Sequence, residues 1–94
     1  MIGGGKSNLA SITSGDGYVT IAGGLSNSVL SPYSSIGGGW NNTIHAAAFD
    51  STVGGGRFNG ILEGASTTTI AGGEGNSASA RYVISIVLIA PENI

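Results

Sequence analysis

Ile2-Gly3-Gly4-Gly5-Lys6-Ser7-Asn8 stands just inside the start of the chain, and the same seven-residue phrase returns four times. It reappears as Ile21-Ala22-Gly23-Gly24-Leu25-Ser26-Asn27, Ile36-Gly37-Gly38-Gly39-Trp40-Asn41-Asn42, Val53-Gly54-Gly55-Gly56-Arg57-Phe58-Asn59 and Ile70-Ala71-Gly72-Gly73-Glu74-Gly75-Asn76. Each copy reads branched aliphatic, glycine or alanine, two glycines, two variable residues, asparagine. Two residues after the asparagine comes Ala10, Val29, Ile44, Ile61 or Ala78, and just ahead of the later copies sits a hydroxyl, Thr20, Ser35, Thr52 or Thr69. Successive copies start 19, 15, 17 and 17 residues apart, and the variation falls in the segment between the apolar residue and the next aromatic. One corner of the unit accepts insertions while the rest is fixed.

A unit of this length is too short for a helix pair or a propeller blade and suits one coil of a β-solenoid, with two strands of about five residues and two turns. The segment from the aromatic to the branched residue alternates as a half-buried strand does, and the glycine pair permits a positive φ or a close backbone approach at the turn. Stacking places identical residues about 4.8 Å apart, so about five coils of 15–19 residues would make a rod. The columns then acquire roles. Ile2, Ile21, Ile36, Val53 and Ile70 form an apolar spine; Asn8, Asn27, Asn42, Asn59 and Asn76 form a hydrogen-bonded ladder that satisfies turn backbone groups.

Composition agrees with an all-β chain. Glycine contributes 18 of 94 residues, charged residues 9% and hydrophobic residues 40%, which is too apolar for simple disorder and too glycine-rich for helices. Lys6, Arg57 and Arg81 are scattered, so there is no basic stripe for nucleic acid. Cysteine is absent, which removes disulfides and thiolate metal sites. The apolar run Tyr82-Val-Ile-Ser-Ile-Val-Leu-Ile-Ala90 falls well short of the roughly 20 residues of a membrane-spanning helix, so membrane insertion is not expected. A coil this thin buries little, and lateral association in closed symmetry, a homotrimer, is expected to complete the core.

The glycine-rich units with Ser or Thr and Ile ahead of each run resemble the head repeats of YadA-type trimeric autotransporter adhesins, and equally the glycine-rich repeats of trimeric phage tail fibres. The resemblance covers residues 2 to about 82. It implies a left-handed parallel β-roll, an obligate trimer, a location outside the cell, on the cell surface or on a virion, and a role as a rigid segment that binds a host surface receptor or glycan or acts as a spacer.

The residues with chemical potential read as follows. "GGGKS" resembles a phosphate loop, but its spacing demands a further glycine five residues before Gly5, and the other copies hold Leu25, Trp40, Arg57 and Glu74 in place of Lys6. His45 is the sole histidine and reads as a surface residue of the insertion-tolerant corner. Asp16, Asp50, Glu63 and Glu74 lie in different coils and form no repeated carboxylate pair, and the asparagine column lacks the aspartates of calcium-binding β-rolls. No catalytic residue, metal site or cofactor is therefore expected, and the chain reads as a non-enzyme. Asn41-Asn42-Thr43 matches a glycosylation acceptor, a tripeptide that chance supplies in a chain of this composition. The column of Thr20, Ser35, Thr52 and Thr69 resembles the ladder of an ice-binding surface; its irregular coils favour a plain strand-forming role. Tyr18, Tyr33 and Phe49 are expected to fill the ends of coils, and Trp40 and Phe58 to lie on the surface as a possible contact.

The reading that follows is a structural or adhesive fibre segment, with residues 1–82 as β-roll and 83–94 as a terminal strand or cap. Met1 enters mid-unit, as in a piece of a longer fibre. Two alternatives remain: a ligand-binding solenoid for ice or glycan, and a fragment of a polysaccharide-processing fibre.

Overall fold

The computed structural model describes residues 1–12 and 17–79. They form a β-solenoid of about four turns, without a helix, in which every strand pairing is parallel. One wall stacks β1 (Leu9–Ala10), β3 (Ser28–Val29), β5 (Thr43–Ile44), β7 (Gly60–Ile61) and β9 (Ser77–Ala78) in that order. The other stacks β2 (Val19–Ile21), β4 (Ser34–Ile36), β6 (Thr52–Val53) and β8 (Thr69–Ile70), with Ile2 bridging to Ile21 ahead of them. Five copies of the unit delimit four full turns. The fifth copy begins a further coil, described over residues 70–79, and the expected cap at 83–94 lies outside the described residues.

Two details differ from the expected coil. The strands are two or three residues long where about five were expected, and a third ladder runs along the axis. Lys6, Leu25, Trp40, Arg57 and Glu74 pair one to the next as single-residue parallel bridges between the glycine turn and the asparagine. Short strands follow from sharp corners. The first variable residue is ladder-paired, the second turns the chain, and Ser7, Ser26, Asn41 and Phe58 all hold φ of 55–58° there, the left-handed region.

The register stacks like on like: Ile21 on Ile36 on Val53 on Ile70, and Val29 on Ile44 on Ile61 on Ala78. These two files face each other and are fully buried, joined by Ala48 and Ala65 from the third corner. The body measures 13 Å through its thinnest direction. Two β-walls pack about 10 Å apart, so the interior holds a single layer of side chains. Ile2, expected to head the apolar spine, is instead 42% exposed, because no coil is described before it to cover it.

The structure corrects the expected placement of three aromatics. Ser34 and Ile36 point inward and Ser35 outward, while Tyr33 sits in the turn ahead of the strand at φ 59°. Tyr18, Tyr33 and Phe49 are exposed, with Tyr18 and Tyr33 in edge contact at 5.9 Å between ring centroids. The same parity places Thr20, Ser35, Thr52 and Thr69 on the outer, half-buried face. The buried hydroxyls stand one residue earlier. Ser34 Oγ accepts from the Ser51 amide at 3.1 Å, Ser51 Oγ accepts from the Thr68 amide at 3.3 Å, and Ser31 Oγ accepts from the Ala48 amide at 2.7 Å.

The last glycine of each run is fixed by geometry. At Gly39 φ is +91°, and a Cβ would overlap the Gly56 carbonyl and crowd Asn42 Nδ2. Left-handed backbone costs an L-residue roughly 1–2 kcal/mol before any overlap is counted. Gly23 has neither constraint. Gly39→Ala should therefore lower unfolding free energy by about 3 kcal/mol or more, whereas Gly23→Ala should stay within about 1 kcal/mol of the parent. Denaturant unfolding of the two variants side by side checks this.

Candidate functional site

The recurring and the variable halves of the repeat do different things, and the asparagine marks the boundary. Its side chain turns inward under the glycine corner. Asn42 Nδ2 donates to Gly38 O in its own coil (3.0 Å), to Gly56 O in the next (2.9 Å) and to Asn27 Oδ1 in the previous one (3.1 Å). Its Oδ1 accepts the Asn59 amide at 3.0 Å. Asn27 repeats the set, donating to Gly23 O (3.1 Å) and Gly39 O (3.0 Å) and accepting the Asn42 amide at 2.9 Å. Asn8, Asn59 and Asn76 each donate to the carbonyl four residues back. Asn27, Asn42, Asn59 and Asn76 are buried, and Asn8 is partly exposed. These side chains are spent on the fold and offer nothing to a ligand.

The variable positions face out. Lys6, Leu25, Trp40 and Arg57 are exposed along the third ladder, where Arg57 pairs with Glu74 at 3.1 Å. Trp40 and Phe58, on neighbouring coils, stack at 4.9 Å between centroids with a tilt of 53° and remain 42% and 44% exposed. Two aromatic rings held against each other in water form a small rigid apolar patch.

Beside Phe58 the outer face of the β1–β3–β5–β7–β9 wall is hollowed into a groove of about 290 Å³. Its lining includes Asn41, Thr43, His45, Phe58, Gly60 and Ser77. Thr43, Gly60 and Ser77 are consecutive rungs of one outward column, so the hollow lies where the middle rung has no side chain. None of the Asn41, Thr43, His45 and Ser77 side chains is engaged in a hydrogen bond among the described residues. The lining holds no Lys, Arg, Asp or Glu. This groove was not singled out by the sequence; Phe58 was, together with Trp40, and the structure places Phe58 on the groove wall with Trp40 stacked on it.

Of the remaining candidates, Asp16 lies outside the described residues. No group of three or more His, Cys, Asp or Glu that could hold a metal ion occurs among the described residues, and no helix there is long and apolar enough to cross a membrane. Comparison with protein-family models, with curated proteins and with solved structures gave no match.

The ladder predicts a graded response to substitution. Asn42→Ala strips the Asn59 amide and Gly38 carbonyl of buried partners and should cost about 3 kcal/mol or more, at roughly 1–3 kcal/mol for each buried group left unpaired. Asn8→Ala, at the partly exposed end, should cost less than half as much, and Lys6→Ala should cost under about 0.5 kcal/mol. Thermal or urea unfolding of the three variants gives the ranking.

Proposed function

We propose that the chain is a structural and adhesive segment of a fibre or adhesin head, a rigid rod that presents a surface for attachment to a host surface or receptor. The observation that carries this reading is the division of the repeat. Its asparagines form an uninterrupted ladder along the axis, and the two positions just before each asparagine vary from coil to coil and include the exposed, stacked Trp40 and Phe58. A solenoid so built resists bending while its display positions are free to change. The likeness of the glycine-rich units to YadA-type adhesin heads and phage tail-fibre repeats points the same way, and with it to a location outside the cell.

Trimerisation belongs to the same proposal. The interior is one side chain deep, and Tyr18, Tyr33 and Phe49 are exposed. Three copies about a common axis would cover such residues and thicken the core. A ligand-binding role for a glycan is the second reading, favoured by the outward aromatic pair and the uncharged groove next to it.

Sedimentation equilibrium tests the fibre reading. The expected mass is about three times the 9.2 kDa of one chain. A single-chain mass across the micromolar range contradicts it.

A further inference from the structure

We propose that the hollow over Gly60 is a binding site for one pyranose ring of a neutral sugar, stacked on Phe58 and hydrogen-bonded by Asn41, Thr43 and His45. This rests on the attachment reading above and names the ligand class through which attachment acts.

Two residues at the groove run against the needs of the fold. Gly60 lies in a strand, where glycine weakens pairing, and its column otherwise carries Leu9, Ser28, Thr43 and Ser77. Nothing in the backbone requires it. Its φ lies outside the left-handed region, and a Cβ there would make only ordinary contact, 3.9 Å from Leu62 Cδ2 and from the Thr43 carbonyl. This differs from Gly39, which the turn demands. Phe58 holds φ 57° in a corner column whose other members are Ser7, Ser26, Asn41 and Gly75. A bulky side chain is disfavoured in that conformation. Departures from local preference gather where function needs them, and these two stand either side of Asn59, one clearing the floor of the groove and the other raising its wall.

The chemistry of the lining selects the ligand. A flat ring face with 44% exposure offers negative π density to the slightly positive C–H groups of a sugar face. The amide of Asn41, the hydroxyl of Thr43 and the imidazole of His45 supply donors and acceptors in the mixed pattern that sugar hydroxyls match. With no Lys or Arg in the lining, a phosphate or carboxylate meets no permanent cation. The volume of about 290 Å³ falls just under the range of small-molecule sites, roughly 300–1,000 Å³, so the shallow hollow suits no more than one ring. Trp40 stacks on Phe58 and limits its motion, so less side-chain freedom is lost on binding.

Trp40 is the only tryptophan and lies in ring contact with Phe58, so its emission reports occupancy. The test titrates the whole chain with the methyl glycosides of glucose, galactose and mannose and with N-acetylglucosamine. Trp40 fluorescence and backbone amide shifts are followed together. At least one sugar should bind with a dissociation constant on the order of a few millimolar, as a dozen-atom ligand of ordinary efficiency does, and should shift the amides of His45, Phe58, Gly60 and Ser77. Phe58→Asn, which places a residue the corner already accepts, and Gly60→Thr, which fills the floor with a residue the column already accepts, should each weaken binding at least tenfold while keeping the parent's amide spectrum elsewhere. The proposal is overturned if no sugar shifts these amides at about 50 mM, if both variants bind like the parent, or if glucuronic acid binds better than the neutral sugars. The mass measurement separates this from the fibre reading: a trimer without sugar binding removes the groove alone, and a monomer that binds sugar removes the fibre alone.

Discussion

One asparagine side chain per coil, hydrogen-bonded above, below and within its own turn, is the interaction on which the rest of the structure depends. Strands of two or three residues cannot hold a stack in register by themselves. Glycine turns expose carbonyls that would be buried without partners. The Asn42 amide group meets one such carbonyl in its own coil and one in the next, and its Oδ1 receives the following asparagine's backbone N–H. Each coil is thereby keyed to its neighbours at the same corner. Coils that differ in length by as much as four residues still stack, because the insertion lies at a corner the key does not touch.

From that corner the remaining constraints propagate. Gly5, Gly24, Gly39 and Gly56, each the last glycine of its run, must lack a side chain because the asparagine amide and the next coil's carbonyl occupy its space. The residue before the asparagine must adopt a left-handed turn to bring the side chain inward. Beyond it the strand alternates, so Val29, Ile44 and Ile61 meet the file of Ile21, Ile36 and Val53 across the thin interior. A second set of buried hydroxyls, Ser31, Ser34 and Ser51, ties the opposite corner in the same manner, with an Oγ receiving the next coil's amide. The two corners hold the walls at a spacing that the small apolar core could not maintain alone. Outward positions carry none of these duties. They are where Phe58 and Gly60 can depart from local preference without loosening the stack.

Much of this is written in the residues that repeat. Five asparagines at one position, and a branched residue six before each, specify a stacked coil and the inward direction of both columns. Features whose residue types change from coil to coil are harder to read. The third ladder joins Lys6, Leu25, Trp40, Arg57 and Glu74, which share only backbone pairing. The buried hydroxyl file is Ser34, Ser51 and Thr68 with Val19 at its head, so it is less regular than the outward Thr20, Ser35, Thr52 and Thr69 that catch the eye. Tyr33 is exposed at a left-handed turn just ahead of the strand, a placement the aromatic's apolar character disguises. The groove was least legible. Gly60 is one glycine among 18, and only the register of Thr43, Gly60 and Ser77 shows that this one leaves an unfilled rung.

Native-state hydrogen exchange at the backbone amides of Asn42 and Asn59 tests the central claim most directly. Both amides donate to a side-chain oxygen of the preceding asparagine. If the asparagine ladder keys the coils together, they exchange as slowly as the wall amides of Gly37 and Gly54, which donate to Val53 and Ile70 carbonyls, and open only with the whole stack. Exchange of Asn42 and Asn59 at the rate of exposed turn amides, with Gly37 and Gly54 still protected, would contradict it.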